Sequence, residues 1–281
     1  MICQQTGNNE LAIKLYKKSI KHFPNNPNAY SNLANIFKEL GKLNEAEKLL
    51  RKAIELNPKF SNAYCNLGIV LQDIGKLEEA EEFTLKAIKY DSNSAIAYSN
   101  LGSILLDLGK LNEAEIAVRR AINIDPNQAK FYSILSQIML DKGEFKDAEV
   151  QIRKSISFGS ESITSYIIFG KLLFIQGHKD QAIDEIIKAL EINPNNPNLA
   201  LFLFSMLSSY NPKSNINYYM IKANNDLKKI NTPVRNSSII NDKDIQDIYL
   251  NALKIYNKYK INIETNLSQI YNSNDTNLNC I

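Results

Sequence analysis

The side chains that most often catalyse reactions or bind metals are sparse in this sequence and lie far apart. Its two histidines are His22 and His178, and its three cysteines are Cys3, Cys65 and Cys280. None of them has a partner at the spacing of a catalytic triad or of a metal site. The sequence also contains no glycine-rich phosphate loop and no dinucleotide fingerprint. We therefore predict no catalytic residue, no metal and no cofactor.

Regularly spaced asparagines could instead bind another molecule. Asn32, Asn66 and Asn100 are separated by steps of 34 residues, and the next two steps reach Ile134 and Ile168. A carboxamide both donates and accepts a hydrogen bond, so it matches a peptide group whatever side chain that peptide carries. One such bond contributes a net stabilisation of about 0.5–1.5 kcal/mol, so several must act together. The chemistry expected here is binding.

The same period governs many other positions and defines the elements that carry these asparagines. The recurring residues are Tyr30, Tyr64, Tyr98, Tyr132 and Tyr166, then Gly41, Gly75, Gly109, Gly143 and Gly177, then Ala46, Ala80, Ala114, Ala148 and Ala182. Each repeat contains two segments of about 13 residues with apolar residues at helical spacing. Glycine after the first segment permits the left-handed conformation that ends a helix. Proline at Pro58, Pro126 and Pro194 prevents the second helix from continuing.

These columns resemble the signature of the tetratricopeptide repeat. Five full units are predicted within residues 27–196, namely 27–60, 61–94, 95–128, 129–162 and 163–196. Residues 1–26 resemble the second helix of a further, partial unit. The resemblance implies an all-α, right-handed α-solenoid (superhelix) of tandem helical hairpins, in which the first helices (A) line the concave side and the second helices (B) the convex side. Because such short helices are marginal alone, each hairpin depends on its neighbours.

The resemblance also places the asparagines in a groove. In this family the second, fifth, sixth, ninth, twelfth and thirteenth positions of helix A face the concave side, and they share one stripe of a helix. Asparagine at the sixth position of consecutive units resembles the superhelix of O-GlcNAc transferases, where it holds the backbone of extended polypeptides. This resemblance implies backbone binding by Asn32, Asn66 and Asn100, and side-chain selection by a more apolar surface at Ile134 and Ile168. Alternatively, asparagine here is ordinary repeat sequence in an asparagine-rich chain.

Charged residues at another groove position of helix A indicate what kind of partner the groove would favour. The thirteenth position of helix A carries Glu39, Asp73, Asp107 and Asp141. These carboxylates would favour a basic or neutral peptide segment. Alternatively, they are helix-end charges paired with Lys42, Lys76, Lys110 and Lys142. Some family members clamp a terminal carboxylate with basic residues at the second, fifth and sixth positions; Lys130 alone fits here, so that role is not predicted.

The C-terminal quarter departs from the repeat. Residues 197–209 read as one more helix A, and residues 197–230 as a whole as a degenerate unit or capping helices. Residues 231–241 read as a linker, followed by an amphipathic helix over about 242–259. Residues 231–281 either cap the apolar end of the array or begin a further domain. The incomplete units at both ends favour a fragment or truncated frame of a larger protein.

Composition excludes several classes of partner. The formal net charge is +3, without the concentrated basic field that nucleic-acid binding needs, and no apolar run suits a membrane span. Scattered cysteines and the lack of a leader predict a cytoplasmic protein, and the Asn-, Lys- and Ile-rich composition favours a bacterial source. We predict a non-enzymatic scaffold that binds an extended peptide or partner surface; its oligomeric state is open. The alternative is the substrate-recruiting region of a larger enzyme, such as a glycosyltransferase.

Overall fold

The chain forms two compact units, Met1–Ser160 and Glu161–Ile281. The computed structural model describes residues 9–159 and 163–192, with Leu199, Phe202, Leu203 and Met206 beyond them. These four residues are helical and fall within the helix predicted over 197–209. The predictions for residues 1–8 and 210–281, including the linker and the amphipathic helix, lie outside the described residues.

Helices make up the regular structure of the described residues in both units, and no strand occurs in residues 9–159 or 163–192. The helices are α1 (Asn9–His22), α2 (Pro27–Glu39), α3 (Leu43–Leu56), α4 (Ser61–Ile74), α5 (Leu77–Tyr90), α6 (Ala95–Asp107), α7 (Leu111–Ile124), α8 (Ala129–Asp141), α9 (Phe145–Phe158), α10 (Ile163–Ile175) and α11 (Lys179–Ile192). From α2 onwards they alternate as A and B helices. Each predicted 34-residue repeat contains one A helix and one B helix.

The turns between A and B helices follow the predicted glycines. All five glycines adopt positive φ, with values of 72° at Gly41, 91° at Gly75, 73° at Gly109, 79° at Gly143 and 85° at Gly177. Residues with a Cβ rarely adopt this conformation, which explains why glycine recurs there. At the other end of the A helices, side-chain caps vary. Asn26 and Ser94 accept hydrogen bonds from the first turns of α2 and α6, whereas Phe60 provides no such cap to α4.

Packing within the first unit distinguishes an inner and an outer layer. Each helix from α1 to α9 packs against the next, and each A helix also packs against the A helix of the following repeat. The B helices of neighbouring repeats approach each other less closely. In a curved stack the elements on the inner side lie closest together, so the A helices α2, α4, α6 and α8 form the inner layer.

Small residues allow the two helices of a hairpin to approach closely. Alanines of the B helices, such as Ala80 and Ala114, have no exposed surface. A Cβ added at Gly68 or Gly102 would lie 3.3 Å from the carbonyl oxygen of Ala80 or 3.2 Å from that of Ala114. These glycines therefore lie directly over the backbone of the facing helix. Leu67 and Leu71 fill the space beside this contact and are fully buried.

Thr84 disturbs this otherwise apolar contact. Its side chain is fully buried opposite Gly68, and its Oγ1 has no hydrogen-bond partner among the described residues. The equivalent residue opposite Gly102 is Val118. We expect Thr84→Val to raise the free energy of unfolding by about 1 kcal/mol, because it replaces an unpaired buried hydroxyl by a methyl group of similar size. Chemical denaturation measures this change. The mirror variant Val118→Thr should be destabilised, and a loss of stability in Thr84→Val would contradict the explanation.

Ion pairs join consecutive repeats on the outer side. A lysine in the turn after an A helix bonds to a glutamate of the preceding B helix, in the pairs Lys76–Glu47 (3.3 Å), Lys110–Glu81 (2.7 Å) and Lys142–Glu115 (2.8 Å). Hydrogen bonds from Lys142 and Arg119 lower the pKa of Glu115. The ion pairs of Glu115 therefore stabilise the fold at pH values above the ordinary pKa of a glutamate. This stabilisation is lost as the pH falls through the lowered pKa that Glu115 has in the folded state.

Candidate functional site: the inner face of the A helices

Side-chain contacts between neighbouring A helices involve the helix positions that the sequence assigned to the groove. We call the surface that these positions form on α2, α4, α6 and α8 the inner face. Its hydrogen bonds between helices are Asn66 to Ser31 (3.4 Å), Asn100 to Cys65 (3.0 Å), Lys130 to Asn100 (3.4 Å), Gln72 to Ser103 (2.9 Å) and Gln72 to Asp107 (2.7 Å). The inner face is thus a connected polar surface that extends over four repeats.

The three asparagines differ in accessibility. Asn32 and Asn66 are half-buried, whereas Asn100 is only 2% exposed. The Nδ2 of Asn66 donates to Ser31 Oγ over a long 3.4 Å, and its Oδ1 accepts no hydrogen bond from the described residues. Asn100 instead donates to Cys65 Sγ and accepts from Lys130 Nζ. In this conformation the carboxamide of Asn100 joins three helices, so that of the three asparagines only Asn32 and Asn66 offer polar surface to another molecule.

Apolar residues of the site also vary in exposure. Ile134 is half-buried on α8, while Ile168, in the second unit, is only 5% exposed. Sequence reasoning missed Ile96, which occupies the second position of α6 and is 63% exposed. The signal was present, because the second position of helix A belongs to the groove stripe that the resemblance implies. Ile96 and Ile134, together with the half-buried Ile69 and Leu106, are apolar side chains that the inner face offers in the first unit.

The carboxylates at the thirteenth position are exposed. This holds for Glu39, Asp73, Asp107 and Asp141. Asp107 accepts a hydrogen bond from Gln72 and Asp141 one from Gln137, both at 2.7 Å. The lysines proposed as their alternative partners point elsewhere: Lys76, Lys110 and Lys142 bond to glutamates of the B helices, and Lys42 lies 5.8 Å from the ring centroid of Phe37.

A positively charged group lies among these polar residues. Lys130, at the second position of α8, places its Nζ 3.4 Å from Asn100 Oδ1. Crowding of the ammonium lowers the pKa of Lys130, and the like charge of Lys38 on α2 lowers it further, against the opposing effect of Asp73. The sequence did not indicate that the charge of Lys38 lowers the pKa of Lys130, because the two residues belong to helices three repeats apart. Burial raises the pKa of the nearby Cys65 thiol.

The remaining candidates for chemistry lie apart from the inner face. His22 and His178 are exposed in different units. Within the described ranges, no three His, Cys, Asp or Glu side chains are grouped so that they could hold a metal ion. Cys3 and Cys280 fall outside those ranges. None of the helices described here is long and apolar enough to cross a membrane.

Comparison with known proteins gives a consistent result. Tetratricopeptide-repeat models match residues 27–60, 49–82, 95–128 and 163–196, and a TPR repeat model matches residues 2–41, so that together they cover more than half of the chain. A comparison with curated proteins finds no match. Solved structures do match. TTC0263, a thermophilic TPR protein of Thermus thermophilus, is 20% identical to this chain with a TM-score of 0.61. The match covers 64% of this chain and 98% of TTC0263.

Two further solved structures share the fold. The pilF protein of Pseudomonas aeruginosa is 19% identical with a TM-score of 0.57, and the match covers 80% of this chain and 97% of that one. A chain of the APC/C hetero-tetramer Cut9-Hcn1 is 13% identical with a TM-score of 0.72, and the match covers 88% of this chain and 47% of that one. At these identities the likeness establishes the fold alone.

The helix pairs, their stacking and these structures define an all-α solenoid of tandem helical hairpins, and they confirm the predicted fold class. The chain belongs to the tetratricopeptide-repeat family. Proteins of this family generally act as scaffolds for protein interactions, and the repeats support this general role for the present chain.

Proposed function

We propose that the chain binds an extended peptide segment of a partner protein along its inner face and catalyses no reaction itself. The observation that carries this proposal is the row of accessible polar groups on neighbouring A helices. It comprises the half-buried carboxamides of Asn32 and Asn66 and the exposed carboxylates at the thirteenth position. A purely structural surface has no need to keep such groups accessible along the same stripe of four successive helices.

The two accessible carboxamides would hold the backbone of the segment. Asn66 Oδ1 is free to accept a peptide N–H, and its long bond to Ser31 could give way to a peptide carbonyl. Each such bond would contribute about 0.5–1.5 kcal/mol net, so the backbone contacts alone would give weak affinity. Further affinity must therefore come from side chains of the segment. Ile96 and Ile134 offer apolar contacts for them on the same face.

The charge of the site favours a segment that is basic or neutral overall. Glu39, Asp73, Asp107 and Asp141 supply four carboxylates along the C-terminal ends of the A helices, and the nearby lysines of the turns bond mainly to glutamates of the outer side. Complementary charges steer association and are screened by salt. We therefore expect affinity for basic segments to fall as the salt concentration rises.

Selection from a phage-displayed library of random 15-residue peptides, using the full chain, tests this proposal. Selected peptides are synthesised with a fluorophore and titrated by fluorescence anisotropy. The double variant Asn32→Ala/Asn66→Ala should bind them about tenfold more weakly, since two net hydrogen bonds are lost. Asn44→Ala/Asn112→Ala removes two exposed asparagines of B helices and should bind like the original protein. Equal weakening by both variants, or selection of no peptide at all, would reject the proposal.

A further inference from the structure

Among the described residues, the most exposed large apolar side chains of the B helices lie in two consecutive repeats. Ile116 on α7 is 70% exposed and Val150 on α9 is 60% exposed. Both occupy the sixth position of their helix, where the other full repeats carry Lys48, Glu82 and Asp184. Single apolar residues are common on protein surfaces. What distinguishes these two is that they recur at the same position and that the charges beside them also differ from those of the other repeats.

The cations one helical turn further on lack a carboxylate partner in the same two repeats. In the other three full repeats, the tenth position of the B helix carries a lysine in an ion pair, in the pairs Lys52–Glu55 (2.7 Å), Lys86–Glu82 (2.6 Å) and Lys188–Glu185 (2.7 Å). Arg120 and Lys154 occupy this position on α7 and α9. They lie over the rings of Tyr98 (6.0 Å to the centroid) and Tyr132 (4.4 Å), and they form no ion pair with the described residues.

Exposed carboxylates stand one turn before the apolar residues. Glu113 and Asp147 occupy the third position of α7 and α9, and neither forms an ion pair with a described residue. The third, sixth and tenth positions share one stripe of a helix, because they follow the spacing i, i+3, i+7. At 1.5 Å per residue, the carboxylate and the cation lie about 10 Å apart along the helix, with the apolar side chain near the midpoint.

The stripes of α7 and α9 lie on neighbouring helices. Lys142 bonds to Glu115 on α7 at 2.8 Å and to Glu144, the residue before α9, at 3.2 Å. In the first two repeats, Arg51 on α3 even bonds directly to Glu79 on α5 at 2.9 Å, so consecutive B helices are close enough to share one binding surface. We call the surface formed by the two stripes the outer patch; it comprises Glu113, Ile116, Arg120, Asp147, Val150 and Lys154.

We propose that the outer patch binds the outer patch of a second copy of this chain. The order of its charges is self-complementary. When two copies meet about a twofold axis that crosses the B helices, each helix lies antiparallel to its equivalent, which exchanges the third and tenth positions. Glu113 then faces the partner's Arg120, and Asp147 faces the partner's Lys154. The apolar side chains meet between these ion pairs, as in other isologous contacts.

The charges also favour a second copy over an acidic segment of another protein. Such a segment would neutralise Arg120 and Lys154 but would place negative charge near Glu113 and Asp147. A second copy provides a partner for all of them, and charge-assisted bonds are stronger than neutral ones. Because the outer patch belongs to the B helices, a dimer of this kind leaves the inner face of the A helices accessible. The proposal is therefore independent of peptide binding.

Sedimentation velocity of the full chain at increasing concentration tests the proposal. We expect a reversible dimer with a dissociation constant on the order of 10 µM, since two stripes bury less surface than a standard interface. Arg120→Glu/Lys154→Glu and Glu113→Lys/Asp147→Lys should each weaken the dimer at least about tenfold, because like charges then face each other. An equimolar mixture of these two variants should associate again, since one carries only cations and the other only carboxylates at these positions.

A matched variant controls for net charge. Lys52→Glu/Lys86→Glu makes the same change in the first two repeats and should dimerise like the original protein. Ile116→Ser/Val150→Ser should weaken the dimer about tenfold with little change in thermal unfolding, because both side chains are exposed. A full chain that stays monomeric, a dimer insensitive to these changes in the outer patch, equal weakening by the control, or a mixture that fails to associate would each overturn the proposal.

Discussion

Replacing Leu67 by alanine is expected to lower the free energy of unfolding by about 3 kcal/mol, in the range found for fully buried leucines. Leu67 has no exposed surface. It belongs to one apolar cluster with Leu71 of its own hairpin, Leu50 of the preceding hairpin and Ile104 of the following hairpin. The cavity would therefore weaken the contacts of three consecutive hairpins. Circular dichroism during urea denaturation measures the loss.

An exposed leucine of the same array provides the control. Leu85, on α5, is 48% exposed, and Leu85→Ala should change the stability by less than about 0.5 kcal/mol. Hydrogen exchange adds a second measurement, since neighbouring hairpins stabilise one another. In Leu67→Ala, amide protection should fall in α2 to α6. Similar stability of the two variants, or a loss confined to α4, would contradict this view of the stack.

Gly102→Ala is expected to destabilise the protein by about 2 kcal/mol, the typical cost of overpacking a core. A Cβ at this position would clash with Val118 Cγ2 and lie 3.2 Å from the carbonyl oxygen of Ala114. Valine is restricted to essentially one χ1 rotamer in a helix, so Val118 cannot turn away. The two helices would have to separate, which denaturation measurements on the variant would detect.

The first repeat shows which facing residue leaves room for an alanine at the position of Gly102. There Ala34 and Leu50 occupy the positions of Gly102 and Val118, and both are fully buried. The branching of leucine lies one carbon further out, where it leaves room for an alanine Cβ. We therefore expect Gly102→Ala/Val118→Leu to regain stability to within about 1 kcal/mol of the original protein, a strongly non-additive result. If the double variant loses as much as the two single variants together, the proposed steric cause is wrong.

The repeated pattern determined the helices, their turns and their tight pairing, because each depends on residues close in sequence. Glycine at Gly75 specifies a left-handed turn whatever surrounds it, since no other residue adopts that conformation so readily. The small residues Gly68 and Gly102 indicate a close helical approach, and the structure places both over a facing backbone. Periodicity also put the asparagines on one stripe of the A helices, although it could not show how accessible each of them is.

Accessibility and charge environment were decided only by the tertiary structure. Asn66 and Asn100 occupy the same position in consecutive repeats. Asn100 bonds to Cys65 and Lys130 and is only 2% exposed, whereas Asn66 bonds to Ser31 and stays half-buried. The lowering of the Lys130 pKa by the charge of Lys38 likewise depends on how the helices of four repeats stack. Local sequence determines backbone conformation through steric preferences. The neighbours of a side chain in a stack, however, come from other repeats, and their positions depend on the packing angle between hairpins.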